Sequence, residues 1–280
     1  MKMTPFIFVP PSSYQKNIMP VQCSITIAPL TTEEFRELDY QVMRHAFDSQ
    51  NDLGRLADER IYQTDLAARL QKSGLSVLRE VKVTLSFENF CKSLYLDLLV
   101  DSRGVYELKV VKAISDAHIG QLLTYLQLLD LPRGKIINFG VSKVESKFVN
   151  APFLSAQRRA FNVVDSDYHG SERFQQFIVE LLRDWGTSLT LSLYQEALIA
   201  LLGGADQVEV MLPIRRDGIC LGNQRFCLAD SESAFKLTAL NRDTVPYRGQ
   251  LARLLHHSPL KAIHWVNIEH EVVTLKTAVR

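Results

Sequence analysis

Three charged side chains interrupt apolar runs in the first half of the chain. Asp97 stands within Tyr95-Leu96-Asp97-Leu98-Leu99-Val100, and Glu107 and Lys109 within Tyr106-Glu107-Leu108-Lys109-Val110-Val111. Burying a charge without a partner is expensive, so each needs a reason to be there. Strand side chains repeat every two residues, which puts Glu107 and Lys109 on one face. A hairpin turning about Asp101-Ser102-Arg103-Gly104 brings Asp97 beside Glu107. Two neighbouring carboxylates repel unless a cation joins them, and hard oxygen ligands suit Mg²⁺ or Mn²⁺. Such a centre polarises a phosphoryl oxygen and acidifies a water, while a lysine orients that water or steadies developing charge. The competing reading is a core salt bridge between Lys109 and either acid. On these three residues alone the two readings balance.

Periodicity indicates the elements that would position them. Thr31-Thr32-Glu33-Glu34 starts a helix reaching about Phe47, and a second helix runs over about 57–72, closed by Gly74. Strands are expected at 77–87, 93–100 and 104–111. A helix at 115–129 follows, with Ser115 as N-cap and Pro132 beyond its end, then a buried strand at 136–140. Residues 1–30 read as an irregular arm and 141–170 as a connector. Helices are expected at 171–185 and 191–202, and another near 250–256 among short strands. The order α-α-β-β-β-α-β implies an α/β fold, a mixed sheet covered by helices. On the second helix Glu59 and Tyr62 share a face. On the helix after the Glu-x-Lys strand, Gln121 and Tyr125 do the same. Singly these are bland, Tyr62 as a core aromatic and Gln121 as an exposed helix residue. Together they set polar groups from two helices beside the carboxylates.

The chain has 280 residues, 46% of them hydrophobic and 22% charged, as in ordinary globular proteins. With a formal net charge of +1, nucleic acid would have to bind through a local patch rather than a global field. Cys23, Cys91, Cys220 and Cys227 form no CxxC pair, so zinc and iron–sulfur sites have little support. Cys220 and Cys227 could meet across a hairpin, although reduced thiols are the preferred reading. No segment suits a signal-peptide core or a membrane span, so a cytoplasmic protein without a membrane partner is expected. His256, His257, His264 and His270 offer no ligand spacing, and Trp185 and Trp265 read as core. Arg158, Arg159, Lys143 and Lys147 read as solvated surface with a lesser prospect of touching phosphates. Serines such as Ser12 and Ser13 show no nucleophile–base pattern.

The order of these residues resembles the GxxExxY proteins, a branch of the PD-(D/E)xK superfamily related to RecB-like nuclease domains. The residues that carry it are Leu53 to Tyr62, Leu96-Asp97, Glu107-Leu108-Lys109, Gln121 to Tyr125 and Asn138-Phe139. Leu56 stands where the motif has its first glycine, with Gly54 in the neighbouring loop. The resemblance implies a restriction-endonuclease-like core with Asp97 and Glu107 as metal ligands, Glu59 as a further ligand and the Leu108 carbonyl completing the set. It implies that Lys109 orients the attacking water and that Gln121 and Tyr125 contact the substrate strand or support the lysine. The expected activity is Mg²⁺- or Mn²⁺-dependent hydrolysis of DNA, single-stranded or at duplex ends, by an exonuclease or single-strand-preferring nuclease. The alternatives are a nucleic-acid-binding protein with this fold but little turnover, and a structural or regulatory module.

The end of the chain echoes this segment. At one gapless offset Asp230-Ser231 lies over Asp101-Ser102, Gly249-Gln250-Leu251 over Gly120-Gln121-Leu122, and Asn267 over Asn138. The active positions do not recur: Phe226 lies over Asp97, Lys236 over Glu107, Thr238 over Lys109 and Leu254 over Tyr125. Duplication and chance α/β periodicity are both open at this point. The resulting organisation is an arm at 1–30, a nuclease domain at 31–155, a connector at 156–170 and a smaller α/β half at 171–280. If that half is a degenerate repeat, it would be metal-free, with Phe226 and Leu254 buried. It could then pack on the first half like the second subunit of a dimer.

Overall fold

A computed structural model of the protein describes residues 20–242 and 244–280. Residues 1–19 of the expected arm, Ser12 and Ser13 among them, lie outside the described residues.

The first half contains β1 (Val21–Cys23), α1 (Thr32–Leu53), α2 (Glu59–Lys72), β2 (Val77–Phe87), β3 (Phe90–Val100), β4 (Gly104–Lys109), α3 (Asp116–Leu128), β5 (Arg133–Asn138) and β6 (Glu145–Asn150). Its sheet runs β1-β2-β3-β4-β5-β6, with only the β4–β5 pair parallel. A parallel pair requires a crossover, and α3 supplies it. Every residue of β4 is buried, as expected of a strand covered on both faces. One face packs Leu98, Tyr106, Leu108 and Ile137 under α1 and α2, and the other packs Leu99, Val105 and Ile136 under α3.

Helix α1 begins at a capping box in which Thr31 and Glu34 exchange side-chain and backbone hydrogen bonds of 3.2 and 2.8 Å. It continues past the expected end at Phe47 because polar residues beyond it are also buried. Gln50 donates to the carbonyls of Phe139 and Val141 at 2.8 and 2.9 Å. The helix stops at Gly54, whose φ of 71° favours glycine.

The second half contains α4 (Ser155–Arg159), β7 (Asn162–Asp167), α5 (Glu172–Trp185), α6 (Leu191–Leu201), α7 (Ala205–Val208), β8 (Glu209–Arg216), β9 (Ile219–Leu228), β10 (Ser233–Thr238), α8 (Thr244–His257), β11 (Ala262–Ile268) and β12 (Val272–Val279). Its sheet runs β7-β12-β11-β10-β9-β8. The stretch 141–170 is therefore no plain connector: β6 closes the first sheet and β7 lies parallel to β12 in the second. Their exposed, polar edge positions hid them from a reading based on apolar runs.

The two halves share one plan down to register. Tyr106 pairs with Lys135 across β4–β5, and Phe235 pairs with His264 across β10–β11, at the same stagger. Leu99 opposes Val105 in one antiparallel pair and Leu228 opposes Ala234 in the other. Asn138 clamps the backbone of Val111, accepting from its N–H at 3.0 Å and donating to its carbonyl at 2.9 Å. Asn267 makes the same pair of bonds to Leu240, both at 2.8 Å. Tyr62 donates to the carbonyl of Gly54, and Tyr194 to that of Gly186, where α5 ends at φ 80°. The second half thus repeats the plan of the first in strand pairing, register and these side-chain bonds.

The halves are joined by a common core. Phe87 and Phe90 at the tip of the β2–β3 hairpin insert against Trp185 and Tyr194 of the second half. Trp185 donates its indole N–H to the Ser86 carbonyl at 3.0 Å. Among the described residues the corresponding β8–β9 hairpin has no such cover, and Met211, Ile219 and Leu221 on it are exposed. Among these residues the contact is head-to-tail and not two-fold.

Arg158 and Leu254 depart from their expected burial, and the cysteines follow the preferred reading of free thiols. Arg158 is not surface: it is 2% exposed and donates to the carbonyls of Gln127, Trp185 and Thr187 at 2.8–3.1 Å. Its fork ties α3 of one half to the end of α5 in the other. Cys220 and Cys227 lie on the same strand, β9, so they cannot meet across a hairpin, and all four cysteines are free. Phe226 is buried as expected, but Leu254 is only half-buried because it faces a cavity.

Candidate active site

The hairpin β3–β4 pairs Leu98 with Tyr106 and then stops. In its next pair Asp97 would stand directly across from Glu107. Instead the strands part, and the Asp97 carboxylate enters the gap, where its Oδ2 accepts the Leu108 N–H at 2.7 Å. A backbone donor that would have served the ladder is satisfied by the Asp97 carboxylate.

Glu107 and Lys109 share the face that Asp97 enters. The Lys109 ammonium donates to Glu107 Oε1 at 2.7 Å and lies 3.9 Å from Asp97 Oδ2. Glu59, the first residue of α2, reaches the same ammonium at 3.7 Å from a half-buried position. Asp97, Glu107, Lys109 and Glu59 are therefore one cluster. Gln121 and Tyr125 stand beside it on α3, joined by a 3.2 Å hydrogen bond from the Gln121 amide to the phenol. Gln121 is exposed, Tyr125 is buried, and Leu108 holds its side chain in the core beneath.

Charge balance is the defining property of this place. Burial, chiefly, and then the neighbouring Asp97 carboxylate push the Glu107 carboxyl up to about 8, against the opposing pull of Lys109. Burial pushes Asp97 up to about 6, with the Leu108 N–H and Lys109 resisting and Glu59 and Glu80 adding to the rise. Burial alone would lower Lys109, but the Glu107 carboxylate outweighs it and the ammonium is held above its usual range. An ammonium raised by Glu107 and a Glu107 that is itself raised pull in opposite directions. The acids outnumber the lysine, so the ammonium keeps its charge and the carboxylates retain a proton between them near neutrality. Burial leaves the Tyr125 phenol raised as well, against the Gln121 contact and Lys109, with the Glu107 and Asp97 carboxylates adding to the rise.

Among the described residues no three Asp, Glu, His or Cys side chains are gathered tightly enough to form a metal cage. The donor set nonetheless fits a hard divalent cation. Among the described residues Glu107 Oε2 is buried with no hydrogen-bond partner, and a cation would displace the proton that the two carboxylates retain between them.

Two polar residues escaped the sequence reading. Gln63, one turn beyond Glu59, donates to the Asp97 carbonyl at 3.0 Å and to Glu80 Oε1 at 2.7 Å. Glu80 sits at φ 51° where the alternation of β2 breaks. The signal was the polar Arg79 occupying an in-phase position of that strand.

At the matching place in the repeat, Phe226 and Lys236 occupy the next position beyond the Cys227–Phe235 pair, as Asp97 and Glu107 do beyond the Leu98–Tyr106 pair. Thr238 takes the Lys109 position and is drawn into the core, donating to Asn267 Oδ1 and accepting from the Trp265 indole, both at 2.7 Å. No carboxylate pair survives there.

No curated protein and no solved structure matches the chain. Residues 36–149, the segment holding Glu59, Asp97, Glu107, Lys109, Gln121 and Tyr125, match the family model described as the PD-(D/E)XK nuclease superfamily.

Proposed function

We propose that the chain is a divalent-metal-dependent nuclease of the GxxExxY type, hydrolysing phosphodiester bonds in DNA at ends or in single strands. The observation that carries this reading is the entry of Asp97 into the gap between β3 and β4, beside Glu107 and Lys109. Asp97 and Glu107 would hold Mg²⁺ or Mn²⁺ with the Leu108 carbonyl, and Glu59 directly or through water. The ion would supply the positive charge that the phosphoryl group needs as negative charge grows on it. Lys109, which donates to Glu107 Oε1 at 2.7 Å, would orient the attacking water. Tyr125 braces the site from α3, and the exposed Gln121 amide is available to a substrate phosphate or base. The match to the nuclease superfamily supports the reaction class. The choice of DNA, and of ends or single strands, follows the resemblance to RecB-like nuclease domains.

A Mn²⁺ titration tests the reading. The wild-type chain should bind Mn²⁺, and Asp97→Ala and Glu107→Ala should each lose that binding while remaining folded. Equal Mn²⁺ binding in all three would overturn the assignment.

A further inference from the structure

The repeat lost its carboxylates but kept a hollow. A cavity of about 380 Å³ opens where the active site lies in the first half, lined by Phe226, Lys236, Tyr247, Gln250 and Leu254 among others. Small-molecule sites typically measure about 300–1,000 Å³. Phe226 replaces Asp97 and is buried, yet it does not fill the space.

The chemistry of the walls is reversed relative to the first half. Lys236 stands where Glu107 would hold a cation, and it is exposed to the cavity. Among the described residues Lys236 has no acid within ion-pair distance, and the side chains of Gln224 and Gln250, also on the wall, make no hydrogen bond. Arg225 on the rim is already paired with Glu209. One free ammonium and two unengaged amides therefore share a hollow with the Phe226 and Tyr247 rings and the Leu254 side chain. Tyr247 is steadied against Trp265, ring centres 5.1 Å apart. Free donors on one side and flat apolar surface on the other suit an anion attached to a planar ring. An inorganic anion alone would leave the aromatic wall uncovered.

We propose that this cavity binds one nucleotide unit without metal, its phosphate on Lys236 and the Gln224 and Gln250 amides and its base against Phe226 and Tyr247. A phosphate gains from an unpaired lysine, and aromatic faces accept any base. A free mononucleotide and a nucleotide within a single strand present the same chemistry. The inference rests on the nuclease reading only for the choice of a nucleotide as ligand.

The test is equilibrium binding to the full chain in EDTA, where no metal-dependent cleavage occurs. The probes are a fluorescently labelled oligodeoxythymidylate and unlabelled thymidine monophosphate as competitor. Lys236→Glu reverses the charge on β10, and Leu254→Trp fills the cavity from α8, so a folding defect in one leaves the other to decide. Each should weaken oligonucleotide binding at least tenfold, whereas the same charge reversal at the exposed Lys72, at the end of α2, should not. Competition by the mononucleotide identifies a pocket for free nucleotides. Binding of the oligonucleotide without competition identifies a strand-holding site. Unchanged affinity in a folded Lys236→Glu or Leu254→Trp chain, or no binding of either probe by the wild type, overturns the proposal. Failure of the nuclease reading would instead show as absent Mn²⁺ binding in the first half and would leave this result standing.

Discussion

Asp97→Asn should make the metal-free protein more stable while abolishing its capacity for Mn²⁺. The Asp97 carboxyl holds its proton up to about pH 6 in place of an ordinary 3.8. Each tenfold change in proton affinity corresponds to about 1.4 kcal/mol, so the ionised acid costs the folded chain roughly 3 kcal/mol. A group raised on folding contributes stability below its unfolded value and loses it as pH rises through the folded one. The cost therefore accumulates between about pH 4 and 6 and is complete above. Asparagine removes the charge and can still accept the Leu108 N–H as a neutral acid does, the charge-assisted pull of that bond being already contained in the net shift. The expectation is a gain of roughly 3 kcal/mol at pH 7.5, shrinking toward zero at pH 4. Urea unfolding of EDTA-treated wild type and variant at the two pH values measures it. A variant less stable than wild type at pH 7.5 would refute the reasoning, because Asp97 would then be a stabilising partner of Lys109.

Lys109→Met should abolish cleavage yet leave Mn²⁺ bound at least as tightly, since it removes a cation that competes for Glu107; loss of Mn²⁺ binding in calorimetry would make the lysine structural. Gln121→Ala should raise KM for DNA severalfold with little change in Mn²⁺ affinity, and a parallel fall in both would show the amide serving the acids. Arg158→Met leaves the carbonyls of Gln127, Trp185 and Thr187 without their donor, and thermal unfolding should report a loss of roughly 3–5 kcal/mol; a near-neutral change would mean water replaces the guanidinium. Glu34 is held down to about 2, first by the Thr31 N–H and then by Arg103, so its contribution is present above its unfolded value and lost as pH falls from about 4.5 toward 2. Glu34→Gln should flatten the stability profile in that window.

The first half was legible because its signals are local. Strand alternation, a hairpin turn and i,i+3 or i,i+4 spacing suffice to bring Asp97, Glu107, Lys109 and Glu59 together. What stayed hidden depends on long-range packing. Arg158 reads as a surface basic residue until three carbonyls from distant elements surround it. Gln63 and Glu80 are ordinary polar residues until β2 bends at Glu80. Edge strands β6 and β7 carry little apolar signal because solvent covers one side. The repeat was half-legible: its gapless match suggested duplication, but the common register and the Asn138 and Asn267 clamps exist only in three dimensions. The cavity beside Lys236 had no sequence signal, because a side chain that fails to fill a space leaves no mark on the pattern.

The most direct measurement is hydrolysis of end-labelled single- and double-stranded DNA and RNA by purified protein, with Mn²⁺, with Mg²⁺ and with EDTA, alongside Glu107→Ala prepared identically. The account predicts cleavage of DNA in the presence of either ion, none in EDTA and none by Glu107→Ala. Cleavage by Glu107→Ala at the wild-type rate, or no cleavage of any substrate by wild-type protein that binds Mn²⁺, would contradict it.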